Sequence, residues 1–312
     1  MIYTLTPNPA IDLYVGLEAL RPNHVNRTYE EDYQPNGKAI NISIMLKKLG
    51  INSTALGFIA GFSGCFIKEE LNKLQIATDF VEVKGITRIN IFANAEQEYK
   101  IVNKGPAIPE ERKEEMLEKV AMIPEHSMLF VSGSLPGGVD DTFYTEIASI
   151  CWQNNIRLVL DISSKEILEC LPFRPYLIKP NDEELASFFG ISKENMDVST
   201  IVNCSRKLLE NGANQVLVSR GEAGAIYISP SQILKVTAPK GKVINTACSG
   251  DALLALFIGK LEQGSSLEEA LQYASAGGSA TAFSKGLCSL SDIDALIQEV
   301  KITQIKEEFI NG

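Results

Sequence analysis

The segment Asn245-Thr246-Ala247-Cys248-Ser249-Gly250-Asp251 sets small residues before an aspartate, and an apolar run follows it. Leu253, Leu254, Phe257, Ile258 and Leu261 recur at helical spacing, so the pattern predicts a buried helix that begins near Ser249. Amides at a helix start have no partner within the helix. With the helix dipole they form a site for an anion, typically a phosphate. A carboxylate at the same place repels such a guest. It makes sense if Asp251 takes a proton from a hydroxyl that then attacks phosphorus. The plainer alternative is that Ser249 or Asp251 caps the helix.

Other residues suited to polar chemistry stand at the ends of predicted strands. Asp12 follows the breaker Pro7-Asn8-Pro9, just beyond a first strand over residues 1–6, where open α/β sheets collect ligands. An Asx turn is the simpler role for it. Pro35-Asn36-Gly37-Lys38-Ala39-Ile40-Asn41 is a loop feeding a helix that closes at Gly50. Gly37 there would let a ligand approach the backbone, and Lys38 and Asn41 offer donors on the first turn. Ala39 after the lysine, and the missing upstream glycine spacing, exclude a Walker A loop. No Gly-x-Gly-x-x-Gly accompanies the glycines at 57, 61 and 64, so a dinucleotide cofactor has little support. Arg88, in the strand-like Thr87-Arg88-Ile89-Asn90-Ile91-Phe92, has a solvated strand residue as its commoner fate.

Composition narrows the classes. The chain has 312 residues, 45% hydrophobic and 22% charged, as in a globular protein with a large core. Its net charge of −10 disfavours nucleic acid as a partner but allows a small anion wherever a few basic residues converge. The six cysteines are scattered without a Cys-x-x-Cys pair, which argues against a zinc site or a disulfide framework. Only His24 and His126 are available to a Ser-His-Asp hydrolase. No apolar run approaches the ~20 residues of a membrane span. The start reads as a strand and not a signal peptide, so a cytoplasmic, non-membrane protein is expected.

The elements that must hold these residues follow an α/β rhythm. Strands are expected at 54–59, 128–132, 157–161, 176–178, 215–219 and 225–228, and helices at 66–74, 141–153, 266–285 and 291–300, with a charged tail after them. Val/Ile/Leu-rich strands alternating with helices indicate a parallel sheet. Polar or glycine-rich residues follow strand after strand: Gly133-Ser134-Leu135-Pro136, Lys179-Pro180-Asn181, and Ser219-Arg220-Gly221 running to Gly224. One such ending is trivial, but a set in register is a ligand cleft. Arg220 is read as facing solvent. Residues 80–103 resemble antiparallel strand material that, with 14–34, would make a small sheet able to act as a lid. The small residues of 266–285 (Ala274, Ala276, Gly277, Gly278, Ala280) are read as close helix–sheet packing.

With these residues in place, the chain resembles the ribokinase-like (PfkB) carbohydrate kinases over nearly its whole length. Asp12, Gly37-Lys38 with Asn41, the 57/61/64 glycines, Gly133-Ser134-Leu135-Pro136, Lys179-Pro180-Asn181-x-x-Glu184, Ser219-x-Gly221 and Gly250-Asp251 carry the resemblance. The start, Thr87-Arg88-Ile89-Asn90 and Gly-Ser-Leu-Pro are similar to the branch of 1-phosphofructokinases and tagatose-6-phosphate kinases.

The resemblance implies a doubly wound, mostly parallel sheet flanked by helices, as one kinase domain over 1–312 with lid segments at about 14–34 and 80–103. It implies ATP-dependent phosphorylation of a ketohexose monophosphate to the 1,6-bisphosphate, with fructose 1-phosphate and tagatose 6-phosphate as best substrates. A kinase of an unphosphorylated sugar or nucleoside, and a catalytically weak sugar-phosphate sensor, are the alternatives. Asp251 would be the base, and the amides of Ala247, Cys248, Ser249 and Gly250 would hold the transferred group. Asp12, Gly37, Asn41 and Ser134 would meet the sugar, while Lys38, Arg88 and Arg27 would grip its phosphate. Lys179, Asn181, Ser219, Gly221, Gly224 and Ser279 would meet ATP, and Asn181 with Glu184 would organise Mg2+ through water. A homodimer through the lid is also implied. Cys248 departs from the family, which usually has glycine there, and so does Leu256.

Overall fold

Apolar runs bounded by polar turns account for nearly every strand of the main sheet. The computed structural model describes residues 1–305, so most of the expected charged tail lies outside the described residues. In chain order the strands are β1 (Ile2–Thr6), β2 (Ala10–Leu17), β3 (Thr28–Asn36), β4 (Thr54–Ala60), β5 (Ala77–Thr78), β6 (Val81–Val83), β7 (Arg88–Asn94) and β8 (Glu98–Ile101). They continue with β9 (Met128–Ser132), β10 (Arg157–Asp161), β11 (Leu177–Ile178), β12 (Val216–Ser219), β13 (Ala225–Ile228), β14 (Ile233–Val236) and β15 (Ile302–Gln304). The helices are α1 (Lys38–Lys48), α2 (Gly61–Lys73), α3 (Glu110–Ala121), α4 (Thr142–Gln153), α5 (Asp182–Phe189), α6 (Val198–Glu210), α7 (Ser249–Glu262), α8 (Leu267–Ala282) and α9 (Leu290–Leu296).

The large sheet runs β15-β14-β13-β12-β11-β10-β9-β1-β4-β5, with β6 also on β4. It is parallel from β12 to β5 and antiparallel at the β13–β15 end. Alternation along the strands feeds two cores. Leu129 and Val131 face Met116, Phe143, Ile147, Ile201 and Leu208 of α3, α4 and α6. Met128 and Phe130 face Met45, Leu254, Phe257 and Leu271 of α1, α7 and α8. Helices thus cover both faces, the doubly wound arrangement expected of buried parallel strands.

The second sheet has the order β3-β2-β7-β8 and is fastened where Ile11 and Ile89 pack with Ile40, Ile67 and Leu71. Three expectations change here. Residues 81–83 pair with β4 and belong to the large sheet, so the small sheet takes only 88–101 from the second segment. Its central pair, β2 with β7, is parallel and not antiparallel. Asp12 follows the end of β1 but lies inside a second strand, β2, opposite Gln34 and Asn90, and not in a turn.

At the other end, α9 stops at Leu296 and residues 302–304 add an edge strand. The small residues of α8 serve helix–helix contact: a Cβ at Gly277 would fall 1.9 Å from Leu256 Cδ1 of α7. Leu256 therefore fills a groove that its partner helix leaves open.

Candidate active site

The β3, β10, β11 and β12 ends and the starts of α1, α5 and α7 meet at a cleft of ≈ 1050 Å³. Helix α7 begins there without a side-chain cap, and Cys248 precedes it in the left-handed region at φ 64°. Ala247 N–H is already donated to Asn245 Oδ1 at 2.9 Å, and Ser249 N–H to the Thr246 carbonyl at 3.4 Å. The amides of Cys248, Gly250 and Asp251 have no acceptor among the described residues. Of the four amides expected to meet the transferred group, those of Cys248 and Gly250 are left to meet an anion and those of Ala247 and Ser249 are not, while the Asp251 amide joins them.

Asp251 is buried on the first turn of α7, and Asn41 Nδ2 of α1 donates to its Oδ2 at 2.8 Å. Burial, reinforced by the nearby Asp161 charge, pushes its carboxyl up to about 6, against the pull of Asn41, Lys38 and Lys179. A carboxyl so placed changes charge near neutral pH, as a general base requires. Capping does not explain it: the helix start carries no side-chain cap bond.

Asp161, the last residue of β10, went unmarked as a functional residue in the sequence. It is fully buried between two ammonium groups, Lys38 Nζ at 3.1 Å and Lys179 Nζ at 3.3 Å from its Oδ1. Burial alone would raise its carboxyl, but the two lysines hold it below the ordinary range. Its Oδ2 is buried without a partner among the described residues. Lys38 also stands 3.9 Å from Glu184 Oε1. Burial opposes its charge, but Asp161, Glu184 and Asp251 outweigh that and keep the ammonium protonated beyond the usual lysine range. Lys179 Nζ faces the α7 start, 3.4 Å from where a Gly250 Cβ would be. Two lysines thus converge in front of the nest.

Arg88, expected beside Lys38 at the substrate phosphate, is not among the residues that line this cleft. Arg88 lies on the small sheet, its Nη2 donating to the Asn8 carbonyl at 2.8 Å and its Nε buried without a partner among the described residues. Beside it Asp12 is buried and accepts from Asn90 Nδ2 at 2.8 Å and from Asn36 Nδ2. Burial raises the Asp12 carboxyl, and Asn90, Asn36 and Arg88 temper the rise.

Asn181 and Glu184 form a capping box on α5: Asn181 Oδ1 accepts from Glu184 N at 2.8 Å, and Glu184 Oε2 from Asn181 N at 2.9 Å. Glu184 Oε1 remains toward the cleft and accepts from Ser163 Oγ at 2.7 Å. Ser219, Gly221, Gly224 and Ser279 line the opposite end with Pro239, Gly241 and Phe283. Gly224 is dictated by packing, since a Cβ would lie 2.0 Å from the Val236 carbonyl. Gly37 is likewise demanded by Thr6, whose Cγ2 would be 2.5 Å from its Cβ. Arg220 is not solvated as expected but pairs through Nε with Asp182 Oδ2 at 3.4 Å. Ser134 and Arg27 are exposed and do not line the cleft.

A buried carboxylate of raised pKa, free amides at a helix start and two lysines in one cleft are the apparatus of a phosphotransferase with an alcohol acceptor. Comparison with known proteins then places it. The chain belongs to the PfkB family of carbohydrate kinases, whose profile matches residues 6–294. It is 54% identical over 98% of its length to the whole D-tagatose-1-phosphate kinase of Bacillus licheniformis, and 37% identical over the same share to the whole 1-phosphofructokinase of Bacillus subtilis. Among solved structures, Escherichia coli phosphofructokinase-2 in complex with substrates and products superposes with a TM-score of 0.88 at 28% identity, covering 96% of this chain and 98% of that one. Arabidopsis thaliana ribokinase shares the fold, with a TM-score of 0.74 at 18% identity over 95% and 98% of the two chains. The chain is a sugar-phosphate kinase with a ribokinase-like fold.

Proposed function

We propose that the chain moves the terminal phosphoryl group of ATP to the 6-hydroxyl of a ketohexose 1-phosphate, giving the 1,6-bisphosphate. D-tagatose 1-phosphate is the first candidate and D-fructose 1-phosphate the second. The observation that carries the reading is the buried Asp251 carboxyl, tethered by Asn41 and facing Lys38 and Lys179 at the start of α7. The 54% identical relative favours tagatose 1-phosphate over the tagatose 6-phosphate expected from the sequence.

In this reading Asp251 removes the proton as the sugar oxygen attacks phosphorus, and ADP departs with its bonding pair. The amides of Cys248, Gly250 and Asp251, with Lys179 and Lys38, hold the charge of the group in flight. Asp12 and Asn90 orient sugar hydroxyls. The buried, unpartnered Nε of Arg88 suits the phosphate already on the substrate. Ser219, Gly221, Gly224 and Ser279 border the nucleotide.

Magnesium, when bound, neutralises phosphate oxygens. No grouping of three or more His, Cys, Asp or Glu suited to a metal ion occurs among the described residues. Asn181 and Glu184, which line the cleft, would hold such an ion through water. The reading further includes a cytoplasmic homodimer formed through the small sheet.

The test is ADP release with Mg2+ and ATP over both ketohexose 1-phosphates, both 6-phosphates and the free sugars. Highest kcat/KM on a ketohexose 1-phosphate is expected. Preference for a free sugar, or turnover of none, overturns the assignment.

A further inference from the structure

Resting on the proposed kinase reading, we infer that Asn36 is a positioning residue that sets the sugar-binding carboxylate Asp12 in register with the base Asp251. Asn36 is the last residue of β3, lines the cleft, and uses both ends of its carboxamide. Its Nδ2 donates to Asp12 Oδ2 on the neighbouring strand, and its Oδ1 accepts from Asn41 Nδ2 at 3.0 Å. The same Asn41 nitrogen donates to Asp251 Oδ2 at 2.8 Å. Two carboxamides in series therefore join a carboxylate of the small sheet to a carboxylate of the main domain's helix.

The chemistry fixes the direction of this chain. An ionised carboxylate only accepts, so Asn36 must turn its amine to Asp12. That leaves its oxygen for the two N–H groups on the other side, Asn41 Nδ2 and the Gly37 amide. Flipping the group would set oxygen against carboxylate and nitrogen against nitrogen. Only one orientation satisfies every partner, so a shift of Asp12 on meeting a sugar hydroxyl is passed to Asn41 and on to the base. The Cys248 side chain, its Sγ 4.0 Å from Asn36 Nδ2 and 3.2 Å from Asn41 Nδ2, closes the space beside the chain. Asp12 also faces Arg88 and Tyr14, and Asp251 faces Asp161, Lys38, Lys179 and Cys248.

Two variants separate positioning from shape. Asn36→Ala removes both bonds. It is expected to lower kcat/KM for whichever sugar the wild type phosphorylates by about 10- to 100-fold, with KM for ATP within about twofold. Its Asp12 carboxyl is expected to titrate higher, because it loses a donor that favours its charged form. Asn36→Asp keeps the shape but sets a carboxylate against Asp12, so it is expected to be worse than alanine. A residue that merely filled space would show the opposite order.

Carboxyl NMR titration supplies a readout that needs no substrate: Asp12 should titrate higher in Asn36→Ala than in the wild type. Wild-type inactivity on every sugar would count against the kinase reading alone. An active enzyme whose variants leave the Asp12 titration unmoved, or in which alanine is worse than aspartate, overturns the positioning role, and so does an unmoved Asp12 titration in an inactive one.

Discussion

Asp251 and Asp161 are both buried in one cleft, yet their surroundings drive them apart. Asp161 sits between two ammonium groups and stays charged. Asp251 has one carboxamide donor and a like charge nearby, so its carboxyl rises to about 6. A base acts only when deprotonated, so kcat/KM should fall as pH drops through about 6, tenfold per pH unit well below it. A flat profile from pH 5 to 8 would rule out Asp251 as the titrating base. Asp251→Asn keeps the shape and removes the proton acceptor. Its kcat should fall by about 10²- to 10⁴-fold, with ATP affinity by calorimetry within a few-fold.

Cys248 poses a different question at the same scale. A side chain at φ 64° carries left-handed strain of roughly 1–2 kcal/mol, which glycine avoids at some cost in chain entropy. Cys248→Gly should thus melt at a higher temperature, by up to about 1 kcal/mol of stability. A lower melting point would mean that the thiol's packing against Asn41 outweighs the strain.

Among elements, the α7–α8 contact is the most exacting. Helices α7 and α8 both line the cleft, so their spacing bears on its width. Gly277→Ala drives a methyl into Leu256, and overpacking of this kind costs about 1–3 kcal/mol. The double variant Leu256→Ala/Gly277→Ala should recover part of that loss in denaturant melts, giving a coupling energy of opposite sign to the single cost. Additive losses would show that the two side chains do not share the space.

The same element shows what a sequence carries. The apolar spacing from Leu253 to Leu261 located α7, and the polar residues after successive strands located the cleft, because both depend on local periodicity. Pairing is not local. The alternation in 88–94 tells which residues share a face but not that β7 runs parallel to β2. Asp161 was invisible because it ends a run of core residues, and only the folded sheet sets it against Lys38 at the start of the distant helix α1. A carboxylate closing a buried strand was the one available signal. Asn36 and Asn90 were missed for a related reason, since a lone carboxamide in a strand has no pattern to read.

For the molecule as a whole, an acidic chain of net charge −10 has to take two anionic substrates, and the cleft resolves this by local convergence of lysines. The small sheet is less complete. Its edge strand β8 is exposed throughout, and Tyr29 (67%), Tyr33 (51%), Ile101 (51%) and Val102 (61%) stand in solvent on the sheet or just past its end. An open edge with apolar side chains invites a second strand, and a second copy of the same sheet offers self-complementary pairing. Light scattering at micromolar concentration is therefore expected to give twice the chain mass, and Tyr33→Asp/Ile101→Asp to give a monomer. Because this sheet carries Asp12, Asn90 and Arg88, loosening it should raise KM for the sugar phosphate several-fold while KM for ATP, bound on the large sheet, stays within about twofold. A wild type that is monomeric and fully active at the assay concentration would show that the sheet holds its substrate residues without a partner.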